Sequence, residues 1–228
     1  MQIIKVEQDS EEWLEERRPS VGGSDAKNFL PTKRKTSDGD YRGAGFWDYV
    51  GRQLTKPSGV IETPMDRGHR LEEEAVIELS SITGLEFDLK PGLWRSDEEN
   101  RIHISADGAE PGDKPTYDTE VKCLNDGKHF KFVYKARKWM GSQLDLVPNE
   151  VGAYYKEQVL HAFYVNPDLK TRYFMLYNPN VIHKQHVAVL MVINRSEIQE
   201  ELEEYQTSIK EVLDDSEKVI GELTSDVF

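Results

Sequence analysis

Asp107, Glu120 and Lys122 stand out because two carboxylates and an ammonium brought together could hold a divalent cation and act on a phosphate ester. Asp107 closes the run Ser105-Ala106-Asp107-Gly108, and a loop containing Pro111-Gly112 and Pro115 leads on to Thr119-Glu120-Val121-Lys122. Side chains two apart on a strand share a face, so Glu120 and Lys122 point one way and Val121 points the other, into a core. The end of an adjacent strand can set Asp107 beside them. Two carboxylates and an ammonium converging on one face are costly without a partner. Mg²⁺ supplies one, because it takes oxygen ligands and is commonly held by one or two protein carboxylates plus substrate phosphate. There it polarises a scissile phosphate, stabilises charge on the leaving oxygen and acidifies a water, which Lys122 orients or deprotonates. The same pattern also fits a plain solvent-facing strand on which Glu and Lys alternate.

Further candidates lie on two helical segments. In Pro64 to Thr83 the apolar arc is drawn by Leu71, Ala75, Val76, Leu79 and Ile82, and Glu72 falls inside it while Glu73 and Glu74 point away. Glu72 is then either a fourth member of the cluster or an edge-exposed, salt-bridged glutamate. In Asn149 to Tyr164, Val151, Tyr155, Val159 and Ala162 form the apolar stripe, and Tyr154, Gln158 and His161 gather on one flank able to hydrogen-bond a metal's waters or a DNA strand. His161 also fits a satisfied, partly buried histidine, and His103 is equally open.

These residues need a scaffold. The pattern predicts a short helix over Glu11 to Arg18, then Pro19 and a Val-Gly-Gly turn, and a helix capped by Ser24 to about Leu30. After a polar loop from Pro31 to Asp40 come helices at Ala44 to Gln53 and at Pro64 to Thr83, the latter stopped by Gly84. Strand-like runs follow at Leu85 to Leu89, Gly92 to Arg95, Ile102 to Ala106 and Tyr117 to Lys122. Helices at Asp126 to Arg137 and Asn149 to Tyr164, strands at Thr171 to Tyr177 and Gln185 to Ile193, and a long amphipathic helix from about Glu197 to Leu223 complete the order. No repeat or linker marks a boundary, so the expectation is one α/β domain over residues 1–228, a mixed sheet flanked by helices.

Composition narrows the class. With one cysteine, Cys123, an internal disulfide is excluded; the opening MQIIKVEQDS lacks the basic and apolar regions of a signal peptide, and no apolar run approaches the length of a membrane span. A reducing cytoplasm is the expected setting. The net charge of −13 argues at first against nucleic acid, since phosphate binding is dominated by Lys and Arg. From Ser196 onward, however, eleven acidic residues face two basic ones, a local −9 that leaves only −4 for the preceding 195 residues. Between Lys122 and Lys138 six basic residues face one acid, Asp126, and Lys33-Arg34-Lys35 forms a second basic cluster.

Trp13 through Asp25 (WLEERRPSVGGSD), Arg67-Gly68 to Glu72, Ser105 to Gly108 with Glu120 to Lys122, and Tyr154 to Val159 (YYKEQV) stand in one order. They resemble the W-x3-R…S, G-x3-E, SPDG…ExK and Tyr…Gln-Val segments of the λ exonuclease and YqaJ-type viral recombinase family, PD-(D/E)xK nucleases, over nearly the whole chain. Ala106 departs from the proline usual there, which shapes the turn and is no ligand. The resemblance implies a restriction-endonuclease-like α/β fold with a mixed sheet and a long C-terminal helix. It implies that Asp107 and Glu120 bind Mg²⁺, or Mn²⁺ in its place, with the Val121 carbonyl, that Lys122 acts on the nucleophilic water, and that Glu72 and Gln158 complete the site. Asp97 would support these ligands from behind, and Arg17 and Ser24 would hold a 5′-terminal phosphate. It further implies a homotrimeric ring on double-stranded DNA ends in a bacterial host cytoplasm, digesting 5′ to 3′ and leaving a 3′ tail for a phage-type single-strand annealing protein. Competing readings are a restriction-like or CRISPR-associated endonuclease on the same core, whose iron–sulfur variety needs several cysteines, and a non-catalytic acidic DNA mimic.

Overall fold

The computed structural model describes residues 42–56, 64–150 and 153–225, with Glu12 and Arg18. Helix α1 spans Ala44–Leu54 and α2 spans Pro64–Thr83; strands β1 (Leu93–Arg95), β2 (His103–Ser105), β3 (Gly108–Ala109) and β4 (Tyr117–Lys122) follow. Then come α3 (Asp126–Ala136), α4 (Gln143–Leu146), β5 (Asn149–Glu150), β6 (Ala153–Tyr154), α5 (Tyr155–Val165), β7 (Thr171–Tyr177), β8 (Ala188–Asn194) and α6 (Gln199–Ser225).

The main sheet has the order β3-β4-β7-β8. β3 is antiparallel to β4, with Gly108 opposite Thr119. β4 and β7 run parallel: Thr171 N–H donates to the Thr116 carbonyl at their starts, and further along the Thr119 hydroxyl donates to the Tyr173 carbonyl. β7 and β8 run antiparallel, since Asn178 N–H meets the Val187 carbonyl while Arg195 N–H meets the Lys170 carbonyl. The α/β class with a mixed sheet is therefore as the sequence implied.

The chain gathers into two compact units. The first contains α1, α3 and Leu176–Val189. Its core is Trp47, Phe130, Val133 and Val181, with Phe46, Val50, Leu54, Val187 and Val189 against it. Here α1 meets α3 backbone to backbone: a Cβ on Gly51 would lie 2.7 Å from the Asp126 carbonyl carbon and the Gly127 nitrogen. Asp126 is held in place by the Thr55 hydroxyl at 2.9 Å and the Asn178 amide at 2.8 Å. The second unit holds Leu71–Lys122, Met140–Met175 and the C-terminal helix. Leu71, Ala75, Val76 and Leu79 of α2 are buried in it together with Val159, Ala162 and Phe163 of α5 and Phe174 and Met175 of β7. Arg101 pairs with Glu99 within the β1–β2 connection at 2.6 Å and ties that connection to α6 through Asp214 and Glu217, at 3.0 and 3.1 Å.

Several expected elements differ. Leu85 to Leu89 makes only an isolated bridge, Asp88 to Ala109, because the Asp88 side chain accepts from Lys90 N–H and turns the chain. Asn149 to Tyr164 is not one helix: Asn149 pairs with Tyr154 and Glu150 with Ala153, so α5 begins only at Tyr155. The strand expected from Gln185 starts at Ala188, after a 3-10 turn over Lys184–His186. Ile82, placed in the apolar arc of α2, is 49% exposed in the helix's last turn. The helix expected at Glu11 to Arg18 and the one after Ser24 fall outside the described residues apart from Glu12 and Arg18. Among the described residues no helix is long and apolar enough to cross a membrane.

Gly51→Ala should lower stability by about 1–3 kcal/mol, because the added methyl meets the backbone of Asp126 and Gly127 and the Asp126 Cβ, none of which is the end of a flexible side chain. Urea unfolding measures it, and an unchanged midpoint would contradict the close approach of the two helices.

Candidate active site

The site lies entirely within the second unit and begins on β4. Asp118, Glu120 and Lys122 share one face of that strand by its period of two, while Val121, 3% exposed, packs on the other. Both faces are covered, so the carboxylates cannot be left to water. Lys122 Nζ lies 2.5 Å from Glu120 Oε1 and 5.3 Å from the centre of the Tyr155 ring. The other Glu120 oxygen receives Arg172 Nη2 at 2.6 Å, and Arg172 Nη1 reaches Asp118 Oδ2 at 2.5 Å. Arg172 sits on β7, the parallel neighbour, and is wholly buried, as is Asp118. A single guanidinium thus bridges two carboxylates two residues apart on the next strand, a use suited to its planar fork.

Asp107 sits between β2 and β3. Its backbone N–H donates to the Thr119 carbonyl, and its side-chain Oδ2 accepts from Val121 N–H at 2.7 Å. Gly108 follows so closely on α2 that a Cβ there would be 2.9 Å from Val76 Cγ1. That approach sets the Asp107 turn against the helix carrying Glu72, which is half-buried one residue past Leu71. Burial pushes the Asp107 carboxyl up to about 7, and the negative charges of Glu120 and Glu72 add to this, against the Val121 N–H and Lys122. For Lys122 burial alone would lower the pKa, but Glu120 and Asp107 override it and hold the ammonium above the ordinary lysine value. Burial likewise raises the Asp118 carboxyl, opposed by Arg172.

The structure therefore joins Asp107 to Val121 N–H and Lys122 to Glu120, and sets Glu120, Lys122 and Glu72 within electrostatic reach of Asp107. Gln158 is exposed on α5 and lines an open cavity of about 420 Å³ with Glu120, Glu157, His161 and Tyr205. Asp97 is not brought there. Leu93 pairs with Ser105 and Arg95 with His103, so Asp97 continues beyond one end of the β1–β2 ladder and Asp107 beyond the other. It is exposed and lines a different cavity, of about 430 Å³, with Trp94, Lys114 and Asp168. Arg17 and Ser24 lie outside the described residues.

His161 and His103, open in the sequence, act together as a strut. His161 Nε2 donates to the His103 carbonyl at 3.1 Å, and its Nδ1 accepts from the Tyr205 hydroxyl at 2.8 Å. Burial lowers the His161 pKa, consistent with a neutral ring that joins α5, β2 and α6. The residue that sequence reasoning missed is Arg172. Its signal was there: one cation in the otherwise uncharged strand TRYFMLY, which only carboxylates on a neighbouring strand can satisfy.

Among the described residues no group of three or more His, Cys, Asp and Glu side chains forms a metal-binding cluster. Two carboxylates are nevertheless enough for Mg²⁺, which keeps waters and shares substrate oxygens. The crowding that raises Asp107 is the electrostatic stress a divalent cation relieves, and every donor is a hard oxygen, so the residues present fit such an ion.

The YqaJ-like viral recombinase domain matches residues 12–173. Among solved structures the chain is similar to an alkaline exonuclease, LHK-Exo, from Laribacter hongkongensis, at 19% identity over 94% of this chain and 100% of that one, with a TM-score of 0.45. LHK-Exo in complex with dAMP gives the same identity and coverage with a TM-score of 0.47. A phage related exonuclease from Haemophilus somnus 129PT is 14% identical over 88% of this chain and 94% of its own, with a TM-score of 0.41. No curated protein matches.

Two stability measurements test this geometry. Arg172→Ala leaves buried Asp118 without its cation and Glu120 with Lys122 alone, and should cost about 3–5 kcal/mol, with Arg172→Lys recovering part of it; a loss below about 1 kcal/mol in denaturant melts would mean that the bridge contributes little. The raised Asp107 pKa means that the native chain binds a proton that the unfolded chain has released between about pH 4 and about pH 7. Stability in chelator should therefore fall as pH rises through that window. Asp107→Asn should lessen the fall, leaving the part that the likewise raised Asp118 contributes, and stabilise the metal-free chain by about 1–3 kcal/mol at pH 8 and by little near pH 4.

Proposed function

Because the chain belongs to the YqaJ-like viral recombinase domain family, we propose that it is a magnesium-dependent deoxyribonuclease that digests one strand of a DNA duplex from its end. The observation that carries this reading is the meeting of Asp107, Glu120 and Lys122 at the ends of adjoining strands, with the Val121 N–H fixing Asp107. Asp107, Glu120 and the Val121 carbonyl would hold Mg²⁺, or Mn²⁺ in its place, with Glu72 and Gln158 completing the site. Bound there, the ion supplies Lewis-acid polarisation of the phosphate and a more acidic water.

This chain's own groups do the rest. Lys122, kept protonated by its two carboxylate neighbours, orients the attacking water and offsets charge on the phosphate rather than taking a proton. Arg172 and Lys122 together fix both oxygens of Glu120, so its rotamer is set before substrate arrives. In the reaction a water oxygen bonds to phosphorus and the P–O3′ bond breaks. The leaving O3′ gains a proton, and a 5′-mononucleotide departs. A terminal nucleotide would enter the open cavity beside Glu120 and Gln158.

The finer parts of the proposal come from the family. Arg17 and Ser24 would bind the 5′-terminal phosphate, digestion would run processively 5′ to 3′, and a homotrimeric ring would encircle the duplex. The product, a 3′ single-stranded tail, would pass to a single-strand annealing protein in the cytoplasm of a bacterial host.

End-labelled linear duplex, with and without a 5′ phosphate, tests the proposal in Mg²⁺ beside a closed circular plasmid. Wild type should shorten the linear strand and spare the circle. Lys122→Ala should lose cleavage by about 10²-fold or more, and Arg17→Ala should mainly lose the preference for phosphorylated ends. Equal activity of all three would reject both assignments, and nicking of the circle would favour an endonuclease.

A further inference from the structure

The outward face of α3 in the first unit carries Lys128, Lys131 and Lys135, and Lys138 follows in the turn just past its C-terminus, so that the four stand at spacings of three, four and three in a single stripe. From Gly127 to Lys138 there are five cations and no carboxylate, in a chain of net charge −13. The inward face is firmly seated. Phe130 and Val133 pack on Trp47, and buried His129 donates from Nε2 to the His186 carbonyl at 2.7 Å.

Aromatic rings hold the cations at the far end of the stripe. Lys138 Nζ is 4.1 Å from the Tyr134 ring centre and 2.5 Å from its hydroxyl, while the Arg42 guanidinium lies 4.4 Å from the same ring and 4.8 Å from Trp47. Lys135 stands over Phe132 and Trp139, at 5.8 and 5.3 Å. Among the described residues, the partners of Lys135 and Lys138 are thus ring faces and a phenol oxygen rather than carboxylates. Tyr134 answers with a lowered pKa, caused by Lys138 and then Arg42.

Compensation of the helix dipole accounts for Lys135 and Lys138 near the C-terminus. It does not account for Lys128, which stands in the first turn, where a cation is unfavourable. We infer that the Lys128–Lys131–Lys135–Lys138 stripe, completed by Arg42, is a track for the sugar–phosphate backbone of duplex DNA. The stripe spans about 15 Å at the helical rise, which matches about four phosphates of one strand. Base stacking on a single strand needs open ring faces, and here the exposed ring, Tyr134, is occupied by cations. Contact of these cations with phosphates is independent of sequence, as an enzyme moving along a strand requires.

This assignment rests on the nuclease reading, and one experiment separates the two. Binding of the full chain to a labelled 30-base-pair duplex is followed by anisotropy in EDTA across salt concentrations, beside Mg²⁺-dependent digestion. Replacing the four lysines by alanine should weaken binding roughly tenfold or more and reduce the slope of log K against log salt by about 3–4, near 0.9 for each phosphate no longer neutralised. Lys131→Ala and Lys138→Ala alone should each remove about one unit of slope, which keeps the test informative if the fourfold variant misfolds by circular dichroism. An unchanged slope in a wild-type protein that still digests DNA overturns the track and leaves the nuclease reading standing. Lysine-dependent binding to single strands only also overturns it. A wild type that neither binds nor cuts DNA overturns both.

Discussion

Arg172 and the two carboxylates it bridges impose the constraint from which the rest of the site follows. Parallel pairing of β4 and β7 places a buried guanidinium opposite Asp118 and Glu120, at 2.5 and 2.6 Å, with Lys122 closing on the remaining Glu120 oxygen. Burying four charges is not an efficient way to stabilise a sheet, since apolar residues of similar volume serve as well or better. One Asp118 oxygen and Arg172 Nε even lack hydrogen-bond partners among the described residues. What the arrangement does provide is a Glu120 with no rotameric freedom, on a strand whose next residue, Val121, uses its N–H to fix Asp107.

From that centre the surrounding elements have readable purposes. Gly108 lets α2 approach the Asp107 turn, so that Glu72 adds to the negative field without sitting in it. Tyr155, the first residue of α5, lies beneath Lys122, and one turn later Gln158 reaches the open cavity. The His161 strut then joins α5 to β2 and to Tyr205 of α6, so three elements that line the cavity are linked through one imidazole. Charge is divided among elements in the same way: carboxylates dominate α6, and cations follow one another along α3. A chain of strongly negative net charge can in this manner present a local surface suited to a polyanion.

Much of this was legible in the sequence, for reasons that are local. The periodicity of α2 and the Gly84 stop delimited that helix at Pro64 and Thr83, and the alternation of Tyr117 to Lys122 placed Glu120 and Lys122 on one face. Both patterns arise from neighbours along the chain, through repeats of 3.6 and 2 residues. The hairpin before α5 is where apolar periodicity misleads, because the pairing of Asn149 with Tyr154 competes with the helix that the spacing predicts.

Strand order, parallel pairing and the partner of each buried charge were decided only by tertiary structure. That Arg172 lies across from Asp118 and Glu120, some fifty residues away in the chain, follows from which strand β7 chooses as its neighbour. That Asp97 and Asp107 part company, though ten residues apart, follows from the direction of the β1–β2 ladder. By itself the sequence determined which groups were available and which faces they shared. Which of them meet depends on contacts between distant segments, where packing rather than local periodicity sets the energy.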